Sequence, residues 1–252
     1  MKSLKFIFKG YLKAFQVIED AKLKKFYFLP GIISLVLFFI FYWVSTRISF
    51  SFYGYFEKVL KVQNYVSLAK ILIKILVWII GFLIYFLLYK SFTLIVLSPI
   101  LGYVSEKTEV SYTGKEFQFT FKDNMRFIWR GIKVACRSLL VELLCLGIIV
   151  LMSFIPILNI LTPLLLFILQ SYFTGASLVD YTLERKKYNS MESYRFLSKH
   201  FFFTTVNGII FTLLLLIPVL GFFVAPLIST VGSTISMINL LGDGEKVPEN
   251  TN

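Results

Sequence analysis

The chain has 252 residues, 57% of them hydrophobic and 18% aromatic, and a formal net charge of +12. A mean hydropathy of +0.77 excludes a soluble domain of this size and implies several membrane segments. The basic residues flank apolar runs and form no groove-reading motif, so membrane orientation accounts for them and no nucleic-acid partner is expected.

Residues 1–20 alternate Lys2, Lys5, Lys9 and Lys13 with Leu4, Ile7, Phe8, Tyr11, Phe15 and Ile18 at spacings of three and four. That pattern predicts an amphipathic helix lying in the membrane interface, its lysines toward anionic headgroups. Lys22, Leu23, Lys24 and Lys25 follow at the mouth of the first long apolar run. They read either as a positive-inside anchor or as a landing site for an anion, since ammonium groups bind oxyanions as point charges. The run over 26–46 is long enough to cross a bilayer and, with no small-residue cleavage site after it, reads as a retained anchor. A connection over Thr46–Lys70 with few basic residues leads to a second crossing over 71–98.

Beyond it, Pro99 and Gly102 predict a kink or loop, while Glu106 and Glu109 share a helix face. Paired acids at that spacing could form a proton or cation site, but partnership with nearby Arg and Lys is the better reading, and the same holds for Glu142 inside an apolar arm. Two later apolar segments, over 139–170 and 204–241, are each broken at the centre. One carries Pro156, Asn159 and Pro163; the other carries Pro218, Gly221 and Pro226. Asn159 and Gly221 are expected to take left-handed turns. Arms of ~20 to 25 Å are shorter than a ~30 Å bilayer core, which predicts helical hairpins that enter and leave by one side, with each second arm starting near Pro163 and Pro226. The alternative is one proline-kinked crossing per segment. Irregular backbone at mid-depth requires cover by protein or a wet cavity.

The predicted fold is therefore an all-α integral membrane protein with two full transmembrane helices, two proline-broken hemi-penetrating hairpins and an N-terminal interfacial helix. It forms a single membrane domain over 1–242, with a polar, disordered tail over 243–252. Counting basic residues puts both termini on the cytoplasmic side. Cys136, Cys145 and the lone His200 offer no metal-ligand spacing, so no metal or cofactor is expected.

Four collinear blocks extend this reading. They are the lysine-rich stretch Lys22 to Pro30; Pro99-Ile100-Leu101-Gly102-Tyr103-Val104-Ser105-Glu106-Lys107-Thr108-Glu109; Asp180-Tyr181 with Tyr194-Arg195-Phe196-Leu197; and Ile217-Pro218-Val219-Leu220-Gly221-Phe222-Phe223-Val224-Ala225-Pro226. Together they resemble the CysZ sulfate-transporter family, within the grouping that includes the eukaryotic etoposide-induced membrane proteins. The resemblance implies homo-oligomers in the bacterial inner membrane that move sulfate for cysteine synthesis. In sulfate-transporting members a Gly-Leu-Arg-Arg motif before the first crossing is associated with sulfate binding. Here Lys22-Leu23-Lys24-Lys25 stands in its place, which keeps the charge but loses the glycine and the bidentate arginine fork.

Three functions are carried forward. The first is an oxyanion channel or permease, without the phosphate loop of an ATP-driven pump. The second is a non-transporting scaffold whose apolar hairpin tips pack against neighbouring subunits. The third is an intramembrane enzyme, for which His200 would be the sole imidazole; no catalytic residue is assigned.

Overall fold

The protein is described here from a computed structural model, over residues 2–60, 66–115 and 121–242. The tail expected over 243–252 lies outside the described residues. Described secondary structure is helical throughout: α1 Lys2–Asp20, a 3-10 turn Leu23–Tyr27, α2 Phe28–Leu60, α3 Val66–Thr113, α4 Phe121–Met152, α5 Pro156–Asn159, α6 Thr162–Arg185, α7 Ser190–Lys199, α8 Phe201–Leu215 and α9 Leu220–Leu241. Among the described residues four stretches are long and apolar enough to cross a membrane: Leu23–Val44, Trp129–Met152, Thr162–Arg185 and Leu220–Leu241. The first two of these expose Phe39 and Ile40, and Leu144 and Leu151, to lipid, and the chain is an integral membrane protein.

The chain divides into two compact units, Met1–Pro30 with Leu94–Asn252, and Gly31–Thr93. Within the smaller unit Trp78 of α3 meets Phe41 edge-on at 6.0 Å and Tyr42 at 5.6 Å from α2. Helix α2 runs on to Leu60, so most of the connection expected from Thr46 is helical. Thr46 supports the continuation by donating its hydroxyl to the Trp43 carbonyl at 2.8 Å.

Helix α3 continues through Pro99 and Gly102, so of the expected kink or loop the loop does not form. Proline removes one hydrogen bond there, but Leu94, Leu97, Leu101 and Val104 recur at three- and four-residue spacing and are all buried, so packing of that face outweighs the loss.

In the larger unit α9 is the central element. Its residues from Ala225 to Ile238 are buried, including five hydroxyls, Ser229, Thr230, Ser233, Thr234 and Ser236. Most of these hydroxyls bond back to a carbonyl of their own helix, as Thr230 does to Pro226 at 2.7 Å and Thr234 to Thr230 at 2.7 Å. Four of the five are thereby satisfied without water, and the Ser229 Oγ is left without a hydrogen bond.

Small residues set the closest helix crossings. A methyl on Gly208 of α8 would sit 1.7 Å from the Ser171 carbonyl oxygen of α6, and one on Gly175 would sit 1.9 Å from the Thr204 carbonyl oxygen. Between α1 and α9 the same part is played by Gly10 and Gly232. Backbones that approach this closely gain dispersion contacts where lipid offers no hydrophobic drive.

Helix α1 has three faces rather than the expected two. Ile7, Ala14, Val17 and Ile18 are buried on the α9 side, Leu4, Phe8, Leu12 and Phe15 are exposed, and the lysines occupy the remainder. Only the second apolar stripe is available to the membrane interface.

Both proline-bracketed segments are broken at the expected places, by different means. The first leaves the helix at Ser153, makes the single turn α5, and restarts at Thr162 with Pro163 in its first turn. Asn159 is helical and takes no left-handed turn. The second is a tight corner: Leu220 N–H donates to the Pro218 carbonyl at 2.6 Å around Val219, whose φ of 60° and ψ of −55° describe a γ-turn. Gly221 does not carry the left-handed turn expected of it. It is needed because a side chain there would strike the Leu215 carbonyl oxygen at 2.5 Å. The second arm consequently starts at Leu220, and Pro226, expected near its start, lies inside α9. Helix α7 is turned 89° from α8 at His200, and its exposed Glu192, Arg195 and Lys199 keep it out of the apolar segment.

Candidate anion-handling site

The lysine stretch is built on a strained corner. Helix α1 ends at Asp20, and Lys22 turns the chain with φ 54° and ψ 39°, a left-handed conformation that a glycine would adopt at lower cost. Leu23 is then pulled into the core beside Ala14, Val104 and Val231, so it anchors the turn and cannot touch a soluble anion. Lys22, Lys24 and Lys25 stay exposed. Lys24 Nζ reaches back 2.5 Å to Glu19 Oε1, and Lys25 lies over the Phe26 ring at 5.3 Å. The Lys24 ammonium holds the Glu19 carboxyl below its usual range, by hydrogen bond first and charge second. The stretch therefore presents three cations on a pinned backbone, one of them engaged by an acid.

A second constellation is buried. Glu109 of α3 accepts from Arg185 at 2.8 Å and 3.0 Å through one oxygen, while its other oxygen lies 3.4 Å from Lys186 Nζ. Arg185 also donates to the Tyr181 carbonyl at 3.0 Å. Beside this, Arg130 of α4 grips Asp180 through both of its terminal nitrogens at 3.1 and 3.3 Å. It also donates to Ser193 at 2.7 Å and to the Tyr188 carbonyl at 3.0 Å. Glu184 lies 3.6 Å from the same guanidinium, and its Oε1 accepts no hydrogen bond. Helix spacing explains the assembly, since Asp180 and Glu184 are four residues apart on α6, and Tyr181 and Arg185 share the adjacent stripe.

Glu109 thus sits in an ion pair with Arg185, while Glu106 is a more distant charge acting on Arg185. Glu142 is buried on α4. At the tips Pro156, Asn159, Pro163 and Pro218 are exposed, whereas Gly221 and Pro226 are buried. No described contact joins the lysines, the tips and the ionic cluster into one cavity.

Arg130, Glu184 and Arg185 were not singled out from the sequence, and Asp180 only as part of a family-like block, without a role. The available signal was an i, i+4 pair of acids and an arginine at the end of an apolar run that α6 extends well past Gln170. His200 stacks on Phe196 at 4.2 Å, with its Nδ1 3.0 Å from the Phe196 carbonyl. Among the described residues no group of His, Cys, Asp and Glu is arranged to hold a metal.

No curated protein matches the chain. The family described as "Sulfate transporter CysZ/Etoposide-induced protein 2.4" matches residues 11–226, a stretch that begins beside the Gly10 crossing and ends at Pro226. It takes in the lysine turn, the buried ionic cluster, the first broken segment and the break of the second, and the chain belongs to this family.

Proposed function

We propose that the protein is an inner-membrane channel or permease for sulfate or a related oxyanion, feeding sulfur assimilation. The observation that carries this is the family membership over 11–226, which includes a cationic turn held in the backbone conformation that a glycine would favour. In this reading Lys22 and Lys25, with Lys24 in exchange with Glu19, raise the local anion concentration at the membrane surface. The anion then passes along a path bordered by the hairpin tips, where α6 begins at Thr162 with a proline in its first turn and offers free amides to negative charge. The buried pairs Glu109–Arg185 and Arg130–Asp180 fix α3, α4 and α6 to one another and keep the arms in register. The chain's own residues supply charge and shape, with no catalytic step.

Both termini are cytoplasmic in this reading, the hairpins enter from that side, and the protein assembles as homo-oligomers. The scaffold reading keeps one specific support: Phe154, Ile160, Val219 and Leu220 at the tips are exposed and apolar, which suits packing against neighbouring subunits.

Sulfate titration into the purified protein separates the two. Saturable binding, weakened about tenfold or more in a Lys22→Ala, Lys25→Ala double variant and unchanged in Lys199→Ala, is the expected result. Absence of sulfate binding by the folded protein, with sulfite and phosphate equally silent, would move the assignment to the scaffold.

A further inference from the structure

Helix α4 carries a second charged feature that the transport reading does not use. Along one exposed face stand Trp129, Lys133, Arg137, Leu140, Leu144, Ile148 and Leu151, at successive spacings of three and four residues. Chemistry changes once along this stripe, between Arg137 and Leu140. On the polar side Lys133 lies over the Trp129 ring at 5.6 Å, and Arg137 over the Tyr194 ring at 6.0 Å. On the other side the face is purely aliphatic. A tryptophan, two cations and then leucines is the order in which a helix meets water, headgroups and acyl chains.

At that boundary a shallow cleft opens between α4, α6 and α7, with an enclosed volume of only about 30 Å³ and its mouth open to solvent, so a ligand would lie along it rather than inside it. Its rim carries Arg137, Ser138, Ser190 and Tyr194, and its floor includes Val141 and Phe173. Among the described residues no carboxylate pairs with Arg137. Tyr172, stacked on Phe201 at 5.0 Å, adds to the exposed Tyr194 and Phe202 an aromatic girdle at this level. The arginines of the ionic cluster are each held by carboxylates, whereas exposed Arg137 lies over the Tyr194 ring at 6.0 Å, a contact that does not occupy its N–H donors.

We propose that this cleft is a binding site for an anionic glycerophospholipid. Arg137, with the Ser138 and Ser190 hydroxyls, takes the phosphate, and an acyl chain lies along Leu140 and Leu144. A soluble oxyanion would gain nothing from the aliphatic stripe that continues the site. A zwitterionic headgroup would bring its own cation next to Lys133 and Arg137.

The test is native mass spectrometry of the full chain released from nanodiscs of equal phosphatidylglycerol and phosphatidylcholine. Wild type is expected to retain phosphatidylglycerol preferentially. Arg137→Gln lowers that preference about five- to tenfold, and Val141→Phe, which fills the floor and leaves every charge in place, lowers it as well. Lys199→Gln, with the same change in net charge outside the cleft, leaves it unchanged, and thermal unfolding confirms that each variant is folded. Equal losses in the Arg137 and Lys199 variants would overturn the site in favour of diffuse attraction. Displacement of the lipid by millimolar inorganic phosphate would reassign the cleft to a soluble oxyanion. Lipid-free dimers that bury the stripe would reassign it to a second copy of the chain.

Discussion

The two broken apolar segments look alike in sequence and end in opposite places. Of the apolar stretch of α9, in the second hairpin, 83% is buried, against 6% of that of α4 in the first. The second hairpin is the centre around which α1 and α6 pack, while the outer arm of the first, α4, presents its surface to lipid or to a partner. Side-chain size at the crossings decides this. Helices α8 and α9 carry Gly208 and Gly221 at points where other backbone atoms arrive, and Gly232 where the Tyr11 ring packs, whereas nothing lies within 4 Å of where a side chain on Gly147 of α4 would begin. A shared proline pattern specifies a break; the residues on either side of it specify whether the hairpin is core or periphery.

The largest expected effect follows from that contrast. Gly208→Leu should abolish folding, because the Ser171 backbone, 1.7 Å from the new atom, must move, whereas Gly147→Leu should be close to neutral in thermal unfolding. Next in size is Arg185→Ala, which strips buried Glu109 of its hydrogen-bonded guanidinium and leaves it only Lys186, 3.4 Å from its other oxygen. A loss of about 3 to 5 kcal/mol is expected, with much of it recovered in a Glu109→Leu, Arg185→Met double variant that buries no charge.

The tips give a smaller and oppositely signed pair. Val219→Gly relieves a γ-turn that a β-branched residue adopts at a cost of about 1 to 3 kcal/mol and should raise the unfolding temperature. Asn159→Gly, at a helical position, should lower it or leave it unchanged.

The smallest effect lies outside both hairpins. Glu19 is exposed, and Lys24 lowers its carboxyl pKa, so the pair persists above that lowered value and dissolves as pH falls through it. Acidification past that point, or Glu19→Gln at neutral pH, frees Lys24, and sulfate affinity should rise about twofold by titration.

Much of this was legible beforehand. The spacing of lysines and aliphatics gave α1, run length gave the apolar helices, and the prolines gave both breaks, because these are local signals that the chain carries with it. The failures share one cause. Pro99 reads as a break, yet the buried face of Leu97, Leu101 and Val104 holds α3 together; Gly221 reads as a turn, yet it is a contact; and α6 continues past Gln170 because Asp180, Glu184 and Arg185 find partners on α3 and α4. Each depends on what another segment brings to the same place. At the lysine stretch, substitution of the family's glycine suggested that close backbone approach was lost. Lys22 itself takes a left-handed conformation at that position, one that a glycine would adopt at lower cost.

The central claim is oxyanion transport, and its most direct measurement is uptake of labelled sulfate into liposomes containing the purified protein, beside the Lys22→Ala, Lys25→Ala variant and empty vesicles. The account predicts saturable uptake, competed by sulfite, and reduced about tenfold in the variant. Folded protein that passes no sulfate, sulfite or phosphate above the empty-vesicle level would contradict it.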